Sequence, residues 1–150
     1  MCQSSKTKQA LDELYLFIER GTPDGHEETF RDAADEYVNV RAGEVKMKII
    51  QLPHDNFTRE GETLKISLTI TLKEALLGFS HEITHLDGHK VTIAKSGGQT
   101  TQHGEVMRIN GEGMPKFGSP SDSGDLLVTF TVANPETLNP GQQTLFKQFF

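Results

Sequence analysis

Two histidines and a glutamate in the middle of the chain have the spacing of a zinc-protease motif. His81 and His85 stand four residues apart, and Glu82 directly follows the first histidine. On a helix this spacing places both imidazoles on one face, where they can hold a zinc ion while the glutamate activates a bound water molecule. The motif alone would indicate a zinc-dependent hydrolase.

The residues around this motif argue against a zinc site. The chemistry requires one continuous helix, but the helix-forming residues 73–77 are followed by Gly78, a helix-ending residue. Ile83 and Thr84, inside the motif, are β-branched and favour a strand. The longer form of the motif has a third histidine at the position of Val91. We therefore interpret the motif as accidental and expect no catalytic residue and no metal ligand, with the zinc-dependent hydrolase as an alternative.

The motif lies in the stretch with the strongest secondary-structure pattern, residues 64–93. Apolar residues from Leu64 to Leu72 alternate with Lys, Ser and Thr, as a strand with one buried face requires. Residues 73–77 predict a single helical turn. Asp87-Gly88 then predicts a hairpin turn between two further strands.

The rest of the chain predicts more strands and a C-terminal helix. The further strands are predicted at residues 11–19, 27–31, 44–52, 105–109 and 126–132. Loops or turns are predicted at residues 32–42, 94–103, 111–115 and 117–124. Residues 142–150 predict a helix with one apolar stripe, formed by Leu145, Phe146, Phe149 and Phe150.

Two segments of the chain resemble each other, which indicates an internal repeat. The aligned positions are Gly25 with Gly104, Phe30 with Ile109, Ala34 with Gly113, and residues 43–49 with 124–130. The later copy is preceded by the strands and turn of residues 64–93, and nothing comparable precedes the earlier copy. We therefore expect one complete β-rich unit, the second half of a related unit before it, and a chain that is truncated at its N-terminus.

Composition excludes several classes of function. The 150 residues carry a net charge of −6, which argues against a nucleic-acid partner. The apolar runs are too short to cross a bilayer, so we expect no membrane insertion. Cys2 is the single cysteine, which excludes a disulfide within the chain and cannot alone define a metal site.

A series of short motifs resembles the C-terminal substrate-binding region of the J-domain co-chaperones, the DnaJ family. In chain order the motifs are Gly21-x-x-Asp24-Gly25, His54-x-x-Phe57-x-Arg59-x-Gly61, Leu72-x-Glu74-Ala75-Leu76-x-Gly78-Phe79, His85-Leu-Asp-Gly88, Gly111-Glu-Gly-Met-Pro115 and Gly124-Asp-Leu126. They follow the family order and cover nearly the whole chain. The sequence from His85 to His89 is most similar to the endoplasmic-reticulum lumenal branch of the family.

The resemblance implies a mostly β fold of two tandem β-sandwich-like DnaJ C-terminal domains, the first incomplete, with a short helical turn and a C-terminal helix. The expected divisions are residues 1–10 as a disordered remnant of a zinc module, 11–52 as the second half of the first domain, 53–138 as the second domain, and 139–150 as a dimerisation helix. Cys2 would correspond to the last cysteine of the zinc module.

The resemblance also implies a function and partners. The expected function is that of a non-enzymatic co-chaperone fragment, which binds unfolded polypeptide for delivery to an ATP-dependent heat-shock chaperone. This sequence contains neither the J domain that would engage that chaperone nor the cysteine-rich module that would hold zinc. We therefore expect no cofactor in this fragment. A purely structural dimerisation module is a second alternative.

The family's client-binding groove lies in its first C-terminal domain. By motif position the resemblance assigns substrate binding to Leu14, Leu16, Val45 and Met47. Extended clients can pair with a sheet edge and place side chains in apolar pockets, and the flexible methionine side chain fits many shapes. Ordinary core packing is the alternative for each of these residues.

The family places a dimer contact at its C-terminal end. The resemblance therefore implies a homodimer through Leu145, Phe146, Phe149 and Phe150, and the alternative is that this stripe packs on its own domain. The expected location is the lumen of the endoplasmic reticulum, with the cytoplasm as the alternative. Asn56-Phe57-Thr58 is an N-glycosylation pattern, which would matter only in the secretory pathway.

Overall fold

The computed structural model describes residues 13–34 and 42–150. Three expectations concern residues outside these ranges: the disordered remnant at 1–10, the position of Cys2, and most of the loop at 32–42. The chain divides into two compact units. The described residues up to Pro53 form the first unit with Pro115–Asp122, and His54–Met114 form the second with Ser123–Phe150.

The described residues form ten strands and two helices. In chain order they are β1 (Glu27–Phe30), β2 (Val45–Lys48), β3 (Phe57–Glu60), β4 (Thr63–Thr71), α1 (Leu72–Leu77), β5 (Phe79–Thr84), β6 (Lys90–Lys95), β7 (Val106–Ile109), β8 (Pro115–Lys116), β9 (Ser119–Ser123), β10 (Leu126–Ala133) and α2 (Pro140–Phe149). The predominance of strands, with a short helix and a C-terminal helix, confirms the predicted fold class.

Four strands form the main sheet of the second unit, in the order β3-β4-β10-β7. β10 lies in the middle, parallel to β4 and antiparallel to β7. The parallel register places Leu64 opposite Leu126 and Ile70 opposite Val132. Because side chains alternate between the two faces of a sheet, the apolar positions of both strands fall on the same face. The hydrophobic core of the second unit packs against that face.

The β5–β6 hairpin packs over this apolar face. Phe79 and Ile93 of the hairpin belong to the same buried cluster as Phe130 of β10. The rings of Phe79 and Phe130 meet edge to face with their centroids 5.2 Å apart. The core of the second unit therefore lies between the main sheet and the hairpin, which is the sandwich-like arrangement predicted from the sequence.

α1 is the single helical turn that the sequence predicts. A capping box begins it: the Glu74 backbone N–H donates to Thr71 Oγ1 at 3.3 Å, and the Thr71 backbone N–H donates to Glu74 Oε2 at 2.8 Å. Gly78 ends it with φ at 91°. A Cβ at position 78 would lie 2.5 Å from the backbone oxygen of Lys95, so this position requires glycine on both grounds.

The two aligned segments contain the same backbone hydrogen bonds, which confirms the internal repeat. Gly25 N–H donates to Ile49 O at 2.8 Å, and Gly104 N–H donates to Phe130 O at 2.7 Å. Two further bonds recur: Ile49 N–H to His26 O matches Phe130 N–H to Glu105 O, and Ala34 N–H to Gly43 O matches Gly113 N–H to Gly124 O. The repeated feature is thus a backbone arrangement that tolerates different side chains.

The strand register repeats as well. Phe30 of β1 pairs with Val45 of β2, and at the equivalent positions Ile109 of β7 pairs with Leu126 of β10. The strands differ in their other neighbour. β10 has β4 on its second edge, whereas β1 is the one strand paired with β2 among residues 13–34 and 42–150. The second edge of β2 is therefore unpaired within the described part of the chain.

The predicted strand at residues 11–19 is wrong for its described part. Residues 13–19 are irregular, and Tyr15 and Phe17 are 82% and 89% exposed. Apolar residues on both faces of a strand need cover on both sides and a partner for the backbone. The described chain offers this segment neither a paired strand nor a covering layer.

Two other predicted boundaries are also corrected. The strand predicted at residues 44–52 ends at Lys48. The next backbone N–H, that of Ile49, donates a hydrogen bond to the carbonyl oxygen of His26 in a loop. The turns predicted at residues 117–124 contain a small hairpin, because β9 pairs with β8 around Gly118, whose φ is 80°. Short polar strands of this kind lack the alternation that predicts a strand.

α2 is the C-terminal helix that the sequence predicts. Asn139 begins it with a second capping box, in which its side chain accepts from Gln142 N–H at 2.8 Å, and Pro140 stands in the first turn. All ten residues of α2 are exposed. Neither α2 nor any other helix in the described ranges is long and apolar enough to cross a membrane.

Candidate functional site

The zinc-protease motif lies on the β5–β6 hairpin and does not form a zinc-protease site. A strand rises roughly 3.3 Å per residue, so His81 and His85 are roughly 13 Å apart along it instead of one helical turn apart. Their partners differ: His81 Nε2 lies 3.0 Å from Glu74 Oε1, whereas His85 Nε2 lies 3.0 Å from the Glu112 carbonyl oxygen. Glu82 is exposed and points to the other face of the strand.

Glu74 has a structural role in this region. Its pKa is held below the usual range chiefly because its carboxylate accepts a hydrogen bond from the Thr71 backbone N–H, and also one from the Thr71 hydroxyl. The carboxylate therefore stays ionised at the N-terminus of α1, where the helix dipole favours negative charge. His81 pairs with the same Glu74 carboxylate, and this contact accounts for the position of its side chain without a metal.

The predicted client-binding residues lie in the first unit, in two different settings. Val45 and Met47 are half-buried and share one face of β2, and Phe30 stands directly opposite Val45 on β1. Leu14 and Leu16 lie in the irregular segment, with Leu14 36% exposed. The structure thus brings Val45, Met47 and Phe30 together, and it joins neither Leu14 nor Leu16 to them through a strand.

The face formed by Phe30, Val45 and Met47 is called here the β2 face. It adjoins the edge of β2 that has no partner strand in the described part of the chain. An unpaired strand edge offers a row of backbone N–H and C=O groups to an added strand. Alternate side chains of such a strand would fall on the apolar face. The arrangement can therefore bind extended polypeptide by backbone pairing together with apolar side-chain contacts.

The predicted dimer residues form an exposed apolar surface on α2. Leu145 is 55% exposed, Phe149 74% and Phe150 90%, while Phe146 is the most covered at 36%. The rings of Phe146 and Phe150 stack with centroids 5.9 Å apart. The stripe is therefore preformed, with most of its apolar area open to solvent.

A groove of about 790 Å³ separates this stripe from the end of the main sheet. Its apolar lining comprises Leu72, Leu76, Leu77, Ala133, Pro135, Leu138, Leu145, Phe146, Phe149 and Phe150. Sequence reasoning identified the α2 wall and missed the α1 wall. The available signal was Leu72 with Leu76, which are four residues apart and lie on one face of a helix.

The chain is similar to proteins of one family over nearly its whole length. The family model described as DnaJ C terminal domain matches residues 3–135. The chain is 39% identical over 146 residues to DnaJ protein ERDJ3B of Oryza sativa subsp. japonica, an alignment that covers 97% of this chain and 41% of that protein.

Two animal proteins give similar alignments. DnaJ homolog subfamily B member 11 of Bos taurus is 35% identical over 152 residues, with 98% of this chain and 42% of that protein covered. DnaJ homolog shv of Drosophila melanogaster is 35% identical over 135 residues, with 90% of this chain and 38% of that protein covered. The chain therefore spans about two fifths of the length of the curated relatives it matches.

Proposed function

Because this chain belongs to the DnaJ family through its C-terminal domain, we propose that it is the part of a co-chaperone that binds unfolded polypeptide. The observation that carries the proposal is the β2 face beside a strand edge that none of the described residues pairs with. The family membership supports a co-chaperone role, and the half-buried apolar residues of the β2 face supply a physical means of holding a client. No chemistry on the client is required for this function.

The β2 face suits clients that are extended and intermittently apolar. An unfolded segment presents backbone groups that can pair with β2, and its apolar residues lose water on contact with Val45 and Met47. Met47 adds adaptability because its unbranched side chain accommodates many shapes. Leu14 and Leu16 remain proposed contacts, since both are apolar residues of an irregular segment and neither is fully buried.

Replacing Val45 and Met47 together by glutamine is expected to weaken client binding about tenfold or more. Full burial of one such side chain contributes roughly 1.5–3 kcal/mol, these half-buried residues can supply only part of that, and about 1.4 kcal/mol is a factor of ten. The measurement is fluorescence anisotropy of a labelled, permanently unfolded client titrated with the 150-residue chain. Suppression of aggregation of a denatured client gives a second readout and should fall in parallel.

The matched control replaces two exposed apolar residues outside the β2 face, Ile50 and Val106, by glutamine. These are 71% and 53% exposed, and the control should bind the client as the parent chain does. An equal loss of client affinity in both double variants would indicate non-specific hydrophobic binding and would contradict the assignment to the β2 face. Failure of the parent chain to bind the client at all would favour the purely structural dimerisation module.

The proposed function includes a homodimer formed through α2. The stripe and the groove beside it lie on one surface, and a two-fold axis can place the stripe of each copy in the groove of the other. Apolar burial of about 1.5–3 kcal/mol per large side chain could offset much of an association cost of about 4–15 kcal/mol. Dimerisation would hold two client-binding surfaces in one assembly.

Replacing Phe146 and Phe149 together by aspartate is expected to convert the dimer to a monomer, because both charges would have to be desolvated in the interface. Analytical ultracentrifugation at micromolar concentration measures the change in mass. The control is Phe17→Asp, which alters an exposed phenylalanine of the first unit and should leave the mass unchanged. A parent chain that is already monomeric would contradict the proposed interface.

The remaining parts of the proposal concern the longer protein. Delivery to an ATP-dependent heat-shock chaperone would need a J domain, and zinc would be held by a cysteine-rich module; neither lies in this sequence. This chain alone should therefore leave the ATPase rate of that chaperone unchanged. The proposed location is the endoplasmic-reticulum lumen, supported by the sequence from His85 to His89. Recovery of the protein in the cytosolic fraction of its cells would contradict it.

A further inference from the structure

The turn of the β5–β6 hairpin gathers two histidines and a carboxylate outside the surfaces discussed above. A ligating atom from each of His85, Asp87 and His89 lies within 4.8 Å of the other two. Asp87 Oδ1 is 2.5 Å from His89 Nδ1 and 3.6 Å from His85 Nδ1. The two imidazole rings stack with their centroids 4.7 Å apart.

The His85 side chain is only 8% exposed, and its Nδ1 has no hydrogen-bond partner among the residues that the structure describes. Its other nitrogen, Nε2, lies 3.0 Å from the carbonyl oxygen of Glu112. A carbonyl can only accept, so Nε2 carries a proton, and in the tautomer that satisfies this contact alone Nδ1 has the lone pair. The Asp87 carboxylate, 3.6 Å from that nitrogen, is another acceptor, and its Oδ1 is already contacted by His89 Nδ1.

His85 Nδ1 and Asp87 Oδ1 are thus two acceptors 3.6 Å apart, and His89 Nδ1 converges on the same carboxylate oxygen. We propose that His85, Asp87 and His89 form a binding site for a divalent zinc ion, with both Nδ1 atoms and Asp87 Oδ1 as ligands. Two imidazoles and one carboxylate are a donor set that zinc accepts in tetrahedral coordination, with a fourth position left for water.

The distances are close to those that zinc needs. Bonds of about 2.0–2.2 Å to nitrogen and oxygen place tetrahedral ligands about 3.3 Å from one another. The His85–Asp87 separation of 3.6 Å already approaches this value, and the His89–Asp87 separation of 2.5 Å must open by under an ångström. Asp87 and His89 are exposed residues of a turn, so this adjustment disturbs no buried packing.

Glu112 supplies outer contacts that orient both imidazoles. Its backbone carbonyl receives Nε2–H of His85, and its carboxylate oxygen lies 2.8 Å from His89 Nε2. Metal-bound histidines usually donate their second N–H to a carboxylate or a carbonyl, which fixes the ring and raises the basicity of the ligand. A bound ion would therefore join the hairpin turn to the loop that carries Glu112.

This site is distinct from the accidental motif that shares His85. His81 and Glu82 belong to that motif and have no part in the proposed coordination. The proposal also departs from the expectation that this chain contains no metal ligand. It stands independently of client binding and dimerisation, because its residues line neither the β2 face nor the α2 groove.

The experiment uses the untagged chain with Cys2→Ser, so that a thiol cannot contribute. Calorimetric titration with zinc chloride, and metal analysis after desalting, should give one zinc ion per chain, and magnesium should give no binding. Asp87→Asn and His89→Gln should each abolish stoichiometric zinc. Glu112→Gln should weaken binding by about 10–100-fold, as expected for a residue that orients ligands.

His81→Ala and Glu82→Gln are the matched controls and should retain one zinc ion. Imidazole resonances of His85 and His89 should shift with zinc, while those of His54 and His103 stay in place. Absence of zinc from the parent chain, or retention in both Asp87→Asn and His89→Gln, would overturn the proposal. The turn would then be held by the hydrogen bond between His89 and Asp87 instead of a metal ion. Loss of zinc in His81→Ala would overturn it in favour of the hydrolase-type motif.

Discussion

Gly124→Ala is expected to destabilise the second unit by about 3 kcal/mol or more, because overpacking and broken backbone hydrogen bonds both contribute. A Cβ on Gly124 would lie 2.2 Å from the carbonyl oxygen and 2.7 Å from the carbonyl carbon of Glu62. Both contacts are with backbone, so no side-chain rotation can relieve them. The chain itself must move apart at this point.

The backbone around Gly124 is held in place by a set of hydrogen bonds of ordinary length. Gly124 N–H donates to Met114 O, and Met114 N–H donates to Glu62 O, both at 2.9 Å. Gly113 N–H donates to Gly124 O, also at 2.9 Å. Separation of Gly124 from Glu62 would strain all of these contacts, and they hold the start of β4 beside the start of β10.

Urea unfolding followed by far-ultraviolet circular dichroism measures the loss, since the chain contains no tryptophan. Gly141→Ala is the matched control. The nearest atom to its new Cβ would be a side-chain oxygen of Asn139 at 3.4 Å, and the site lies in the first turn of α2. It should stay within about 0.5 kcal/mol of the parent. Equal midpoints for both variants would contradict the steric explanation.

Phe130→Ala is expected to cost about 3–5 kcal/mol, the usual range for a buried phenylalanine cut back to alanine. Phe130 is fully buried at the centre of β10 and contacts Phe79 across the core. Folded domains are stable by about 5–15 kcal/mol, so this one change would remove much of the stability of the second unit. Denaturant unfolding of the purified variant gives the free-energy difference directly.

Phe17→Ala provides the comparison for the Phe130 variant. Phe17 is 89% exposed, so the same chemical change there should alter the free energy of unfolding by less than about 0.5 kcal/mol. A large effect at Phe17 would mean that the irregular segment 13–19 packs more closely than its exposure indicates. A small effect at Phe130 would contradict its place in the core.

Local sequence patterns predicted the strands that have one buried face. They failed where the formation of a strand depends on contacts with distant parts of the chain. β4 and β10 were identified because each alternates apolar and polar residues over a full strand length. Their parallel pairing was not foreseen, because the register between distant strands leaves no local pattern. Residues 13–19 show the opposite failure: they have the apolar residues of a strand covered on both faces, but the described chain gives them no partner strand.

The candidate sites likewise divide into features that local sequence patterns indicate and features that depend on tertiary contacts. The zinc-protease motif was set aside correctly, because Gly78 and the β-branched residues are local indicators of a hairpin. The α1 wall of the groove was missed, because exposure of Leu76 and Leu77 depends on where α2 lies. The grouping of His85 with His89 was read only as a turn, since the unpartnered nitrogen becomes visible only with the position of Glu112.

The second edge of β2, unpaired within residues 13–34 and 42–150, also bears on self-association of the chain. An open edge can recruit an identical strand as readily as a foreign one, and this leads to edge-to-edge polymers. Lys46 and Lys48 are exposed and alternate with the apolar residues of β2, so two copies of the strand would bring like charges together. The lysines would therefore disfavour self-pairing of β2 and, in the proposed client-binding role, favour neutral or acidic extended segments.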